Sequence, residues 1–176
     1  MLQPEPADHS VLTTLFQHNT WANLKLLDFC EALSDEQLAT AGIGTYGSIR
    51  ATLPHLVGAE VSYVHRVNGK WPAEPWPEDG FPGFVLLKQT AQWTGNELLQ
   101  LALSARADSL VQEEDDKVVV RYPLASLLMQ ALNHATEHRT QVSTILTQLG
   151  LEPPDMTGWQ YMDEKSEFKE TAKAAS

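Results

Sequence analysis

The sequence predicts an all-α protein, an antiparallel four-helix bundle with long loops. Three observations carry that prediction. Four long segments repeat apolar residues at the three-and-four spacing of a helix with one buried face. Capping residues and Pro or Gly breakers stand between these segments. Strand-like composition is confined to Val118-Val119-Val120-Arg121-Tyr122. That stretch is too short for a sheet of its own, so it predicts at most a very short β ribbon near 118–122. The 176 residues suit one domain spanning 1–176, with 1–8 and 163–176 frayed.

Asp8 or Ser10 caps a first helix running to about Leu33. Leu12, Leu15, Asn19, Ala22, Leu26, Cys30 and Leu33 mark its inner stripe, with Phe16, Asn23 and Leu27 at the edges. Ser34-Asp35-Glu36-Gln37 reads as a stop followed by a short capped turn. Gly42, Gly44 and Gly47 then make a loop that lacks both the preceding strand and the Lys-Ser/Thr of a phosphate loop.

Ser48 caps a second helix, which Asn68-Gly69 ends. Its apolar face is Ile49, Leu53, Leu56, Tyr63, Val64 and Val67, and Pro54 predicts a kink or a late start. Glu60 falls inside the apolar arc, which makes it either a buried carboxylate with a partner or a sign that the helical phase slips at Pro54. Residues 69–83, rich in Trp and Pro, form a long loop, either a binding lid or an aromatic cover over the bundle end.

The third helix runs from about Phe84 to Leu110 or Val111, with Leu87, Ala91, Leu98, Leu101 and Ala105 inward and Gly95 as a mild weak point. Gln112-Glu113-Glu114-Asp115-Asp116 reads as a solvated acidic turn. Pro123 opens the fourth helix, from about Leu124 to Leu149, and Gly150 stops it. Beyond Pro153-Pro154, the residues Trp159, Tyr161 and Met162 are placed to pack back on the bundle.

Composition excludes several functions. A net charge of −11 and only 12 Lys and Arg argue against a nucleic-acid surface and against anionic membrane. No apolar run approaches the ~18 residues of a membrane span. The N-terminal residues lack the basic and apolar regions of a signal peptide, so a cytoplasmic location is expected. Cys30 is the sole cysteine, which rules out an intramolecular disulfide and fits a buried, inert thiol.

Chemistry concentrates in Asn133-His134-Ala135-Thr136-Glu137-His138-Arg139-Thr140-Gln141. His134 and His138 lie one turn apart on the stripe Leu127, Ala131, His134, His138, Val142, Ile145, Leu149. Ionisable groups aimed at a core need a partner, and a divalent ion is one; core histidines bonded to carbonyls are the other common outcome. A cysteine-rich structural zinc is excluded by composition. A third histidine with an open position is the catalytic arrangement, and the remaining histidines are His9, His18, His55 and His65. His55, beside the small-residue strip Ser48, Ala51, Thr52, Ala59 and Ser62, is favoured over His18. Asn19, Asn23 and Glu60 are candidates to hold the histidines' second nitrogens. Glu60 is alternatively a general base, and Gln141 is placed to orient a bound water or ligand. These two are the candidate catalytic residues.

With Trp21-Ala22-Asn23, Leu53-Pro54-His55-Leu56 with Glu60, the His-x-x-x-His-Arg-x-Gln of 134–141 and Pro153-Pro154-Asp155, the chain resembles the DinB/YfiT-like family over about residues 10–165. The resemblance implies a four-helix bundle, usually a homodimer, holding zinc or nickel through His55, His134 and His138. It also implies a small-molecule substrate and either a thiol-dependent S-transferase, using a low-molecular-weight thiol, or a metal-dependent hydrolase. The alternatives are a non-catalytic metal- or small-molecule-binding stress-response protein and a structural bundle whose histidines are satisfied by hydrogen bonds.

Overall fold

The computed structural model describes residues 10–75, 80–115 and 117–165. Its elements in chain order are α1 (Val11–Glu31), α2 (Asp35–Leu38), α3 (Ile49–Asn68), α4 (Phe84–Ser104), β1 (Leu110–Asp115), β2 (Val118–Pro123), α5 (Leu124–Gln148) and α6 (Gly158–Glu164). The four long helices are those expected from the periodicity. The predicted caps are in place: the Ser10 and Ser48 side chains accept from Thr13 and Ala51 N–H, and Gly69 closes α3 in the left-handed conformation at φ 70°. The capped turn at Ser34 is a complete capping box. Asp8 and His9 lie outside the described residues.

Two apolar clusters fill the bundle. One gathers Leu26, Leu27 and Cys30 of α1, Ile49, Leu53, Leu56 and Val57 of α3, Leu87 and Ala91 of α4, and Val142, Ile145 and Leu146 of α5. The other gathers Phe16 of α1, Val64 of α3, Leu98 and Ala102 of α4, and Leu124, Leu127, Leu128 and Ala131 of α5. These groupings fix the helix directions. The pairs α1/α4 and α3/α5 are antiparallel, whereas α3 and α4 run the same way. The start of α4 therefore stands at the start of α3, about 30 Å from where α3 ends, a distance that the connecting segment has to span. At about 3.3 Å per extended residue, that segment reaches easily. Pro72, Ala73 and Glu74 lie beside Leu86, Gln89 and Trp93 of α4, and Phe81 packs on the first cluster. Trp76 lies outside the described residues.

Four expectations are corrected. The inner face of α1 is rotated, since Leu12 and Leu15 are 45% and 43% exposed while Phe16, Asn23 and Leu27 are buried. The face that wins is the one that puts Asn19 and Asn23 into the core. Helix α4 ends at Ser104, and the acidic stretch is strand rather than turn. β1 pairs antiparallel with β2, from Leu110↔Pro123 to Asp115↔Val118, and Glu113 accepts hydrogen bonds from Arg66 and Tyr122. Pro54 does not delay α3, which is helical from Ile49 onward. Helix α6 carries the chain back to α1, where Glu164 accepts from Trp21 Nε1 at 2.8 Å; of the residues expected to pack back, Tyr161 is buried and Trp159 is 71% exposed.

Candidate metal centre

Each candidate ligand side chain is aimed by its helix. His55 projects from the first half of α3, and His134 and His138 project from one face of α5, antiparallel to it. His134 Nε2 lies 3.2 Å from His55 Nε2 and 3.1 Å from His138 Nε2. One nitrogen of each ring falls within 4.8 Å of the other two. With metal–nitrogen bonds of about 2.0–2.1 Å, gaps of this size correspond to nitrogen–metal–nitrogen angles of about 100°. Three neutral imidazoles in that arrangement fit a four-coordinate ion with one position open, or one face of a six-coordinate ion.

The tautomer of His138 is set by its neighbour. Gln141 Oε1 lies 3.0 Å from His138 Nδ1 and accepts the Tyr46 backbone N–H at 3.0 Å. A carbonyl oxygen only accepts, so Nδ1 carries the proton and Nε2 presents its lone pair to the cluster. Gln141 Nε2 reaches back to Glu137 Oε1 at 3.4 Å. Burial comes first, and the neighbouring His138 and His55 second, in pushing His134 down to about 4. Burial and then His138 also lower His55. Both shifts favour the neutral ring, the form in which imidazole binds a metal. His134 Nδ1 is buried without a hydrogen-bond partner among the described residues.

Two tyrosines that the sequence reading did not single out wall the cluster. Tyr46 stacks on His55 with centroids 3.9 Å apart and meets His138 edge-on at 5.4 Å. Tyr63 meets His134 edge-on at 6.0 Å. A signal for Tyr46 existed: the glycine loop ends at Ser48, two turns before His55, so the loop must sit at this end of α3.

The remaining candidates are placed elsewhere. Glu60 is 1% exposed. Its Oε1 accepts from Asn19 and Asn23 at 2.8 Å each, and its Oε2 accepts from Thr94 at 2.7 Å. It is thus the buried carboxylate with partners, and the phase does not slip at Pro54. The same two asparagines accept from Arg139 Nη1 at 2.7 and 2.6 Å. Asn19 and Asn23 thus bridge Glu60 to Arg139, and the second nitrogen of His138 meets Gln141. Burial raises Glu60, opposed by its three hydrogen bonds and by Arg139, and lowers Arg139 to about 10. His18 is engaged away from the cluster, with Nε2 2.9 Å from the Met156 carbonyl and its ring against Trp21 and Tyr161. His65 stacks on Trp71. Cys30 is fully buried, and burial raises its thiol to about 12, as an inert core cysteine requires.

Three histidines converged by the facing helices of a bundle are an arrangement compatible with metal binding. The chain belongs to the DinB family, whose model matches residues 5–172. No curated protein matches it. Among the described residues, no helix is long and apolar enough to cross a membrane.

Proposed function

We propose that this chain holds one divalent ion, zinc or nickel, through Nε2 of His55, His134 and His138, and serves as a metal-dependent thiol S-transferase or hydrolase. The observation that carries the reading is the convergence of three imidazole nitrogens within 4.8 Å of one another, two of the gaps being 3.1 and 3.2 Å, which suits a metal. Such an ion, when bound, lowers the pKa of a bound water toward ~7 or takes a thiol as thiolate. The chain's own groups prepare for it. Burial keeps His55 and His134 neutral, Gln141 holds the Nδ1 proton of His138, and Tyr46 and Tyr63 keep bulk water off two sides of the cluster.

Gln141 is assigned to positioning His138 and the Tyr46 loop. Glu60, with both oxygens engaged by Asn19, Asn23 and Thr94, is assigned to holding the bundle together around the site rather than to proton abstraction. A homodimer is part of the reading, and the hairpin's Val118, Val119 and Val120, each more than half exposed, offer an apolar surface for it.

Elemental analysis of protein purified without added metal tests the centre. About one equivalent per chain, lost in His134→Ala, is expected; less than that, unchanged in the variant, overturns the site. Turnover is tested by conjugating low-molecular-weight thiols to an electrophile and by a panel of amide and ester substrates. Metal-dependent product on one of these is expected, and its absence on all of them favours a binding protein without turnover. Sedimentation at micromolar concentration, with twice the chain mass expected, tests the dimer.

A further inference from the structure

The wall formed by Tyr63 has a second side. Beyond it, a groove of about 330 Å³ opens between α3 and α5, against the hairpin, lined by Tyr63, Arg66, Tyr122, Ser126, Leu127 and Gln130. Gln130 lies one turn before His134 on α5, and Tyr63 lies two turns past His55 on α3, so the groove starts about one helical turn, roughly 5–6 Å, from the cluster. Its volume falls in the ordinary range for a small-molecule site, about 300–1,000 Å³. A larger groove of about 490 Å³ between α1, α4 and α6 includes none of the three histidines in its lining.

The groove's electrostatics select its occupant. Arg66 is the one cation in the lining, and its guanidinium already donates to Glu113, which Tyr122 also engages. Its charge is matched, so it does not call for an anion, and a chain of net charge −11 opposes one further. What remains is the ring of Tyr63, the ring of Tyr122 and the side chain of Leu127, with Ser126 and Gln130 as neutral hydrogen-bonding groups at the rim. Neither Ser126 nor Gln130 is buried, so an occupant can enter from solvent.

We propose that this groove receives the uncharged, apolar or aromatic body of the molecule whose reacting group sits at the three histidines, with Tyr63 touching both halves. The inference deepens the metal-centre reading and rests on it.

The test uses cobalt-loaded protein, in which a thiolate on the metal gives a charge-transfer band, and two probe thiols, 2-mercaptoethanol and 4-phenylbutane-1-thiol. Four methylenes carry the phenyl ring one helical turn from the metal. The aryl thiol is expected to bind at least about tenfold more tightly, from burial of its ring. Ser126→Trp, at an exposed position, fills the groove; it should abolish that preference and leave 2-mercaptoethanol binding unchanged. A band with 2-mercaptoethanol but no preference for the aryl thiol overturns the groove assignment alone. A preference that survives Ser126→Trp does the same. No band with either thiol on cobalt-loaded protein overturns this assignment, and failure to take up cobalt overturns the metal centre and this assignment with it.

Discussion

His138 Nδ1 and Gln141 Oε1 are 3.0 Å apart, and the same oxygen accepts the Tyr46 amide. One side chain thus orients a candidate ligand and ties down the loop whose ring covers another. Gln141→Ala should lower metal affinity by about 10–100-fold, the usual cost of removing a group that orients a metal-bound imidazole. Gln141 is only half-buried, so the melting temperature of the metal-free protein should hardly move. Competitive titration against a chromophoric chelator measures the first and calorimetry the second. Wild-type affinity in the variant would remove Gln141 from the site.

His134 should cost the metal-free fold stability. Its Nδ1 is buried without a partner among the described residues, and burial with the neighbouring histidines pushes its pKa to about 4. In the unfolded chain it titrates near 6.5. Between these values the unfolded state binds a proton that the folded state refuses, so stability falls as pH drops through that window. His55 and His18 are shifted in the same direction. Urea midpoints of metal-free protein should fall from pH 7.5 to pH 5, and His134→Phe should flatten part of that slope while abolishing metal binding. A variant less stable than wild type at pH 5 would contradict this account.

Arg139 and Glu60 form a buried charge pair linked through Asn19 and Asn23, which donate to the carboxylate and accept from the guanidinium. Removing one partner leaves the other uncompensated. Arg139→Met should therefore destabilise by about 3–5 kcal/mol, and the Glu60→Gln/Arg139→Met double variant by less than the sum of the two single changes. Urea denaturation of the four proteins gives the coupling. Additive losses would mean that the four side chains do not act as a unit.

The three-histidine cluster was legible because its parts are local signals: two histidines one turn apart on an apolar stripe, and a third beside a strip of small residues. The buried network was not, since Arg139 meets Asn19 and Asn23 across 120 and 116 residues and no periodicity reports such a meeting. The shared direction of α3 and α4 had a signal in the long Pro-rich connection, because antiparallel neighbours need only a short one. β1 was hidden by composition. Glu113 and Glu114 have low strand preference and are held by pairing with Val120 and Val119 and by Arg66.

Gly95 reverses sign between sequence and structure. In an isolated helix, Gly→Ala gains up to about 1 kcal/mol. Here α1 and α4 approach so closely that a Cβ on Gly95 would stand 2.1 Å from Thr20 Oγ1, 2.6 Å from its Cγ2 and 2.9 Å from its Cβ. A rotamer change moves the first two atoms but not the third, so the helices themselves must separate. Thr20 Oγ1 also donates to the Phe16 carbonyl at 3.0 Å, which holds the rotamer in place. Forcing a methyl into such a contact costs about 1–3 kcal/mol, more than helix preference returns. Gly95→Ala should therefore lower the urea midpoint, whereas exposed Ser104→Ala, near the end of the same helix, should leave it nearly unchanged. A stabilised Gly95→Ala protein would show that α1 and α4 are not in contact there.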